Sequence, residues 1–218
     1  MKKLVVFDLD GTLVNSIYDL ADSVNFALRQ NSIKENNTDE YYDFVGHGME
    51  NLVRRALKEK GSDDAVYKKV RACFDGYYAE HSYDKTVAYS GVAKLLDRLK
   101  ESGVDIAVLS NKADIFMQGI INKCFPDAKF SAVWGNREGI PRKPDPKALG
   151  MMLLELGYTA DDCVYVGDSE VDVLTAKNAG VVCVCVDWGF RSVDTLTNSG
   201  AKIIVSSADE LFDKLMSL

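Results

Sequence analysis

The chain has 218 residues, 47% hydrophobic and 27% charged, enough for one substantial core or for a core plus a small inserted domain. A net charge of −7 speaks against a nucleic-acid partner or an anionic membrane surface, both of which select a basic face; it leaves a small anionic substrate open, because a local cation can outweigh the overall field. No apolar run approaches the roughly 20 residues a bilayer span needs, Leu4–Phe7 is too short for a signal peptide, and the five cysteines are odd in number without a C-x-x-C pair, so the expectation is a cytoplasmic protein with no membrane partner.

In chain order, the first element is the apolar, strand-length run Leu4–Phe7, which ends in Asp8-Leu9-Asp10-Gly11-Thr12. A stretch without strand character follows. Ile17, Leu20, Val24 and Leu28 recur at helical spacing, with Asn15 or Ser16 able to cap the start. A second helix is predicted over 49–60, stopped by Gly61, and a third over 63–80, interrupted at Gly76. Beyond residue 86 strand-like and helical patterns alternate. Helix 91–101 precedes the run Val104–Leu109, and helix 146–156 precedes Cys163–Val166. Helix 171–179 then leads to the strands Val181–Val186 and Ile203–Val205. Gly103, Gly157 and Gly180 sit where helices should stop. Cys183 and Cys185 alternate with Val184 and Val186 and read as small hydrophobes on one strand face. The pattern implies an α/β fold, a doubly wound parallel sheet over residues 1–14 and 86–218, with an all-helical domain inserted at 15–85.

The polar residues at the strand ends carry the chemistry. Asp8 and Asp10 stand at i and i+2 where a buried strand runs out, and Gly11 permits a sharp departure of the backbone. Two carboxylates this close repel unless a cation or proton intervenes, so the pair invites a divalent metal; a solvated turn is the plainer alternative. Ser110 and Asn111 follow the strand Val104–Leu109, where a serine is also an ordinary helix cap. Lys143 lies among Arg142, Pro144 and Pro146, a setting that fixes the loop, although most loop lysines are solvated. Asp168 and Asp172 at i and i+4 face one way if a helix starts near Ser169, and Asp172 also suits a helix dipole. Gly46 and Gly48 flank His47 just before a predicted helix, where backbone amides could approach an anion; an ordinary connecting loop reads equally well.

Taken in order, D-x-D-G-T at Asp8–Thr12, Ser110-Asn111, Lys143-Pro144-Asp145-Pro146 and Gly167-Asp168-Ser169-Glu170-Val171-Asp172 resemble the four motifs of the haloacid dehalogenase superfamily, across essentially the whole chain. The resemblance implies a Rossmann-like core and a helical cap that closes over the active site. It implies an Mg2+-dependent phosphatase in which Asp8 is the nucleophile and Asp10 the acid and base. The metal would be held by Asp8, the Asp10 main-chain carbonyl and Asp168, with Asp172 behind it near the metal or Lys143. Ser110, Asn111 and Lys143 would hold the phosphoryl oxygens, and Gly46, His47 and Gly48 of the cap are candidate substrate contacts. Val45-Gly46-His47-Gly48 before Asn51–Leu57, then Ser110-Asn111-Lys112-Ala113 and Trp188-Gly189-Phe190-Arg191, are similar to the phosphoglycolate phosphatase branch, which implies a small phosphorylated metabolite as substrate. Asn111 and Lys112 would lie at the crevice edge, and Arg54 and Arg55 are candidates for a substrate carboxylate. A β-phosphoglucomutase-like mutase shares every motif, and a pyrophosphatase is a further alternative, since relatives of that branch accept pyrophosphate. A non-enzymatic phospho-receiver shares the aspartate and the metal but would lack the cap. Oligomeric state is not legible.

Overall fold

The computed structural model describes residues 2–218. They form two compact units, one running to Asn15 and resuming at Ala88, the other comprising Ser16–Val87.

The first unit opens with β1 (Leu4–Phe7) and the short β2 (Val14–Asn15), and resumes at β3 (Val87–Ala88), where the chain returns. Then follow α5 (Val92–Glu101), β4 (Asp105–Ala113), α6 (Asp114–Cys124), β5 (Ala132–Asn136), α7 (Lys147–Leu156), β6 (Cys163–Gly167), α8 (Glu170–Ala179), β7 (Val182–Val186), α9 (Val193–Asn198), β8 (Ile204–Val205) and α10 (Ala208–Met216). The six-stranded sheet has the order β5-β4-β1-β6-β7-β8, parallel throughout. Strand alternation explains its two buried faces. Val5 and Phe7, Ile106 and Val108, and Val164 and Val166 join one core with α5, α6 and α10. Leu4 and Val6, Ala107 and Leu109, and Cys163 and Tyr165 join the other with α7 and α8. Strand order reverses across β1, which places the C-terminal ends of β1, β4 and β6 side by side, where such sheets bind ligands.

Gly157 and Gly180 end α7 and α8 in the left-handed conformation, as their positions implied. Several boundaries differ from the sequence reading. β4 continues through Ser110, Asn111 and Lys112 to Ala113, because its far end still pairs with β5 after an irregularity. The elements α6, β5, α9 and α10 add to the predicted set.

The second unit contains α1 (Ile17–Gln30), α2 (Tyr41–Phe44), α3 (Met49–Ala56) and α4 (Asp64–His81). Ser16 occupies the α1 cap position without a side-chain bond. Phe26 of α1 stacks on Tyr77 of α4 at 4.1 Å. Buried Asp19 on α1 accepts from the main-chain N–H of Lys85 and from both N–H and hydroxyl of Thr86, so the end of the insert is tied to its first helix. The predicted helix over 49–60 is shorter: it stops at Ala56, Lys58 takes a positive φ of 53°, and a 3₁₀ turn covers Lys58–Ser62. The predicted interruption of the third helix at Gly76 is absent. Asp63 caps that helix through Ala65 and Val66, and it continues across the glycine with Val70, Phe74 and Tyr78 buried. Packing of one apolar stripe outweighs the ~1 kcal/mol a helical glycine costs.

A Cβ at Gly76 would meet nothing within 4 Å. Gly76→Ala should therefore raise stability by ~0.5–1 kcal/mol in urea unfolding; a destabilised variant would contradict the continuous helix.

Candidate active site

Asp8 directly follows β1. Its N–H still donates to Val166 O of β6 (2.8 Å), so the residue is held at the strand end. The chain then folds tightly. Leu9 O accepts from Thr12 N, Leu13 N and Val14 N, and Gly11, at φ 85°, donates to Val14 O (2.9 Å). A Cβ on Gly11 would lie 2.2 Å from Asp168 Oδ2, so only glycine lets this turn press against the β6 end. Thr12 Oγ1 donates to Asp168 Oδ1 (3.0 Å) from the same turn.

Three carboxylates converge here. Oxygens of Asp8, Asp168 and Asp172 lie within 4.8 Å of one another, all three residues buried. Lys143 answers them. Its ammonium is 3.0 Å from Asp8 Oδ1, 2.7 Å from Asp172 Oδ1 and 2.9 Å from Tyr165 Oη. Tyr165 in turn donates to Leu109 O (3.0 Å). Asp172 is fully engaged, because Oδ2 accepts from Ser169 Oγ (2.6 Å) and from the N–H groups of Ser169 and Asp168. Asp8 has spent only Oδ1, on Leu9 N and Lys143. Asp168 keeps lone pairs on both oxygens after bonding Thr12 and Phe190 N (2.8 Å).

Electrostatics follow from this count. Burial pushes the Asp8 carboxyl up to about 7; Lys143 opposes the rise, while Asp172 and Asp10 add to it. Burial, then Asp172 and Asp8, hold Asp168 well above the usual carboxylate range. Burial alone would lower the Lys143 ammonium, but Asp172 and Asp8 outweigh it and keep the lysine charged. One buried ammonium among three buried carboxylates leaves excess negative charge. The open oxygens of Asp8 and Asp168 form an all-oxygen donor set that suits a hard divalent cation. This is an acidic cluster of the metal-binding kind.

The remaining predicted residues fall into three places. Ser110 is buried on β4, its Oγ accepting from Lys112 N at 3.3 Å. The Asn111 amide clamps the main chain of Lys143: Oδ1 accepts from Lys143 N (2.9 Å) and Nδ2 donates to Lys143 O (3.1 Å). Asp10 is ion-paired to Lys112, whose ammonium lies 3.0 and 3.3 Å from its two oxygens. Gly46, His47 and Gly48 belong to the other unit, where Gly48 starts α3 at φ 84° and His47 O accepts from Asn51. In that unit Arg54 is taken up by Glu50, Asp64, Gly61 O and the Tyr67 ring, and Arg55 by Asp43 O. Sequence reasoning missed Tyr165 and the depth of Lys112. Tyrosine inside the apolar run Cys163–Gly167 was the available signal, since a buried phenol needs a partner.

A profile of the haloacid dehalogenase-like hydrolases matches residues 5–186. The chain belongs to that family. A phosphoglycolate phosphatase of Pseudomonas fluorescens is 34% identical over 222 residues, covering 100% of this chain and 79% of the relative. Another, of Colwellia psychrerythraea, is 31% identical over 219 residues and covers 98% and 97%. A crystal structure from Lactobacillus delbrueckii subsp. bulgaricus is 32% identical, with a TM-score of 0.93 over 99% of each chain. The protein is accordingly an enzyme, a phosphatase of the haloacid dehalogenase-like family, and the phospho-receiver reading falls. Among the described residues no helix is long and apolar enough to cross a membrane.

Within this hydrolase the loop after β7 completes the cluster. Trp188 Nε1 donates to Thr12 O (3.1 Å), Phe190 N holds Asp168, and a Cβ on Gly189 would lie 2.3 Å from Asp168 Cβ. Gly189→Ala should cost ~1–3 kcal/mol in urea unfolding and reduce phosphatase activity with it. Wild-type stability and activity would show that the loop does not hold Asp168.

Proposed function

We propose that this phosphatase hydrolyses a small phosphomonoester of the 2-phosphoglycolate class through an aspartyl-phosphate on Asp8. The single observation that carries the reading is the buried cluster at the strand ends, where Asp8 offers an open carboxylate oxygen beside a charged Lys143.

In the first step an Asp8 oxygen attacks phosphorus, the P–O bond to the leaving group breaks, and Asp10 gives its proton to the departing oxygen. In the second step water attacks the same phosphorus, its proton passes to Asp10, and the Asp8–phosphoryl bond breaks to release phosphate. Lys143 and Ser110 bind phosphoryl oxygens, and the developing charge there is met by a lysine whose position Asp172, Tyr165 and the Asn111 clamp already fix. Asp8, Asp168 and the Asp10 main-chain carbonyl are the groups that would hold Mg2+, which when bound supplies positive charge against the repulsion between carboxylate and phosphate dianion. Asp172, with both oxygens engaged, serves Lys143 and the Asp168 turn instead. Gly46, His47 and Gly48 are assigned to substrate selection on sequence resemblance to phosphoglycolate phosphatases. The same full-length resemblance supports 2-phosphoglycolate over a sugar phosphate or pyrophosphate.

Phosphate release with Mg2+ from 2-phosphoglycolate, pyrophosphate, sugar phosphates and nucleotides tests the proposal, with Asp8→Asn as the blank. We expect 2-phosphoglycolate to lead by ~10²-fold in kcat/KM and Asp8→Asn to be inactive while folded. Broad, even activity would remove the substrate, and an active Asp8→Asn would remove the mechanism.

Because the folded protein keeps a proton on Asp8 up to about pH 7, it binds more protons than the unfolded chain between the usual carboxylate range and that pH. The cluster's contribution to stability therefore falls as pH rises through this window, and a cation must displace the proton to bind. Mg2+ at 100 times its Kd should raise Tm by on the order of 5 °C at pH 8, clearly less at pH 5.5, and by far less in Asp168→Asn. A pH-independent shift, or one that survives Asp168→Asn, would place the cation elsewhere.

A further inference from the structure

The cluster around Asp8 accounts for Lys143 but not for a second buried ammonium. Lys112, two residues after Ser110 on β4, has a side chain only 2% exposed and lies 3.0 and 3.3 Å from the two oxygens of Asp10. Burying a lysine is costly unless its charge is answered, and the part-buried Asp10 carboxylate, its side chain 19% exposed, supplies the answering charge. Asp10 also sits in the tight turn between β1 and β2, where its short side chain can swing about χ1 and χ2 unless something outside the turn restrains it. A lysine in contact with both oxygens fixes the direction of the carboxylate as well as its distance. The end of β4 thus orients two parts of the site at once: Asn111 holds the Lys143 main chain, and Lys112 holds Asp10.

We propose that Lys112 is a positioning residue for Asp10, aiming its carboxyl at the leaving-group oxygen. The proposal rests on the reading of Asp10 as the proton donor in the first step. It makes a demand that a merely structural ion pair does not make. Loss of Lys112 should hurt only to the extent that the leaving group needs a proton. An alkyl alkoxide needs one, and p-nitrophenolate leaves as a stable anion without it.

The experiment measures single-turnover phosphoenzyme formation, with Mg2+, on an alkyl phosphate (2-phosphoglycolate or glycerol phosphate) and on p-nitrophenyl phosphate. The enzymes compared are wild type, Lys112→Met, Lys112→Arg, Asp10→Asn and the double variant. We expect Lys112→Met to lose ~10²-fold on the alkyl ester and at most several-fold on p-nitrophenyl phosphate, with KM little changed. Lys112→Arg should recover most of the loss, since a guanidinium reaches a carboxylate through two donors. In the Asp10→Asn background, Lys112→Met should cost nothing further. The double variant removes both partners of the pair, so it reports even where Lys112→Met alone folds poorly. Equal losses on both esters, additive losses in the double variant, or a raised KM at unchanged rate would each overturn the positioning role. If Asp10→Asn itself shows no difference between the two esters, the acid assignment of Asp10 fails, and that result is separable from a failure of Lys112 alone.

Discussion

Three buried carboxylates around a single ammonium set the terms for the core unit's active end. Asp8, Asp168 and Asp172 cannot all be ionised in that volume without help, and Lys143 supplies only one positive charge. The structure meets the excess in two ways. Asp172 is satisfied by hydrogen bonds from Ser169, the adjoining main-chain N–H groups and Lys143, so its charge is spread within the fold. Asp8 and Asp168 keep oxygens open and are pushed toward protonation, a state that a divalent cation or a positively polarised phosphorus would relieve. Excess negative charge on oxygens left open favours a hard cation.

The glycines follow from the same constraint. Bringing β1, β6 and the loop after β7 close enough to share one charge cluster leaves no room for a Cβ at Gly11 or Gly189, both against Asp168, nor at Gly167 against Asp172. Lys143 arrives from a loop rather than a strand, and it is immobilised by a different device, the two-sided Asn111 clamp together with the Tyr165 hydroxyl. Rigid strand ends and a clamped loop hold the charged groups within hydrogen-bonding distance before any substrate arrives, which is the usual requirement for stabilising a transferring phosphoryl group.

Much of this was legible in the sequence, for physical reasons. Strands buried on both faces give unbroken apolar runs, so Leu4–Phe7, Cys163–Val166 and Val181–Val186 stood out, and the acids at their ends marked the crevice. Cys185 is a core residue on one face of β7, with Val184 and Val186 buried in the other core. Tertiary packing decided what pattern could not. Gly76 reads as a break in isolation and is carried through by its helix's apolar stripe, whereas the helix after Gly48 ends early at the left-handed Lys58. Side-chain partnerships were hidden most completely. Asn111 and Lys112 are adjacent polar residues in sequence, and only the course of β4 beyond Leu109 shows one clamping Lys143 and the other paired to Asp10. Arg54, a candidate for a substrate carboxylate by pattern, is engaged by Glu50, Asp64 and Gly61 O of its own unit, while exposed Arg55 donates to Asp43 O.

Phosphorylation of Asp8 can be caught by quenching a single turnover of labelled substrate with Mg2+ at successive times and mapping the label on peptides of the protein. A transient phosphoryl group should appear on the peptide containing Asp8, rising before phosphate appears and accumulating in Asp10→Asn. Phosphate released with no protein-bound label at any time, or label on a residue other than Asp8, would contradict it.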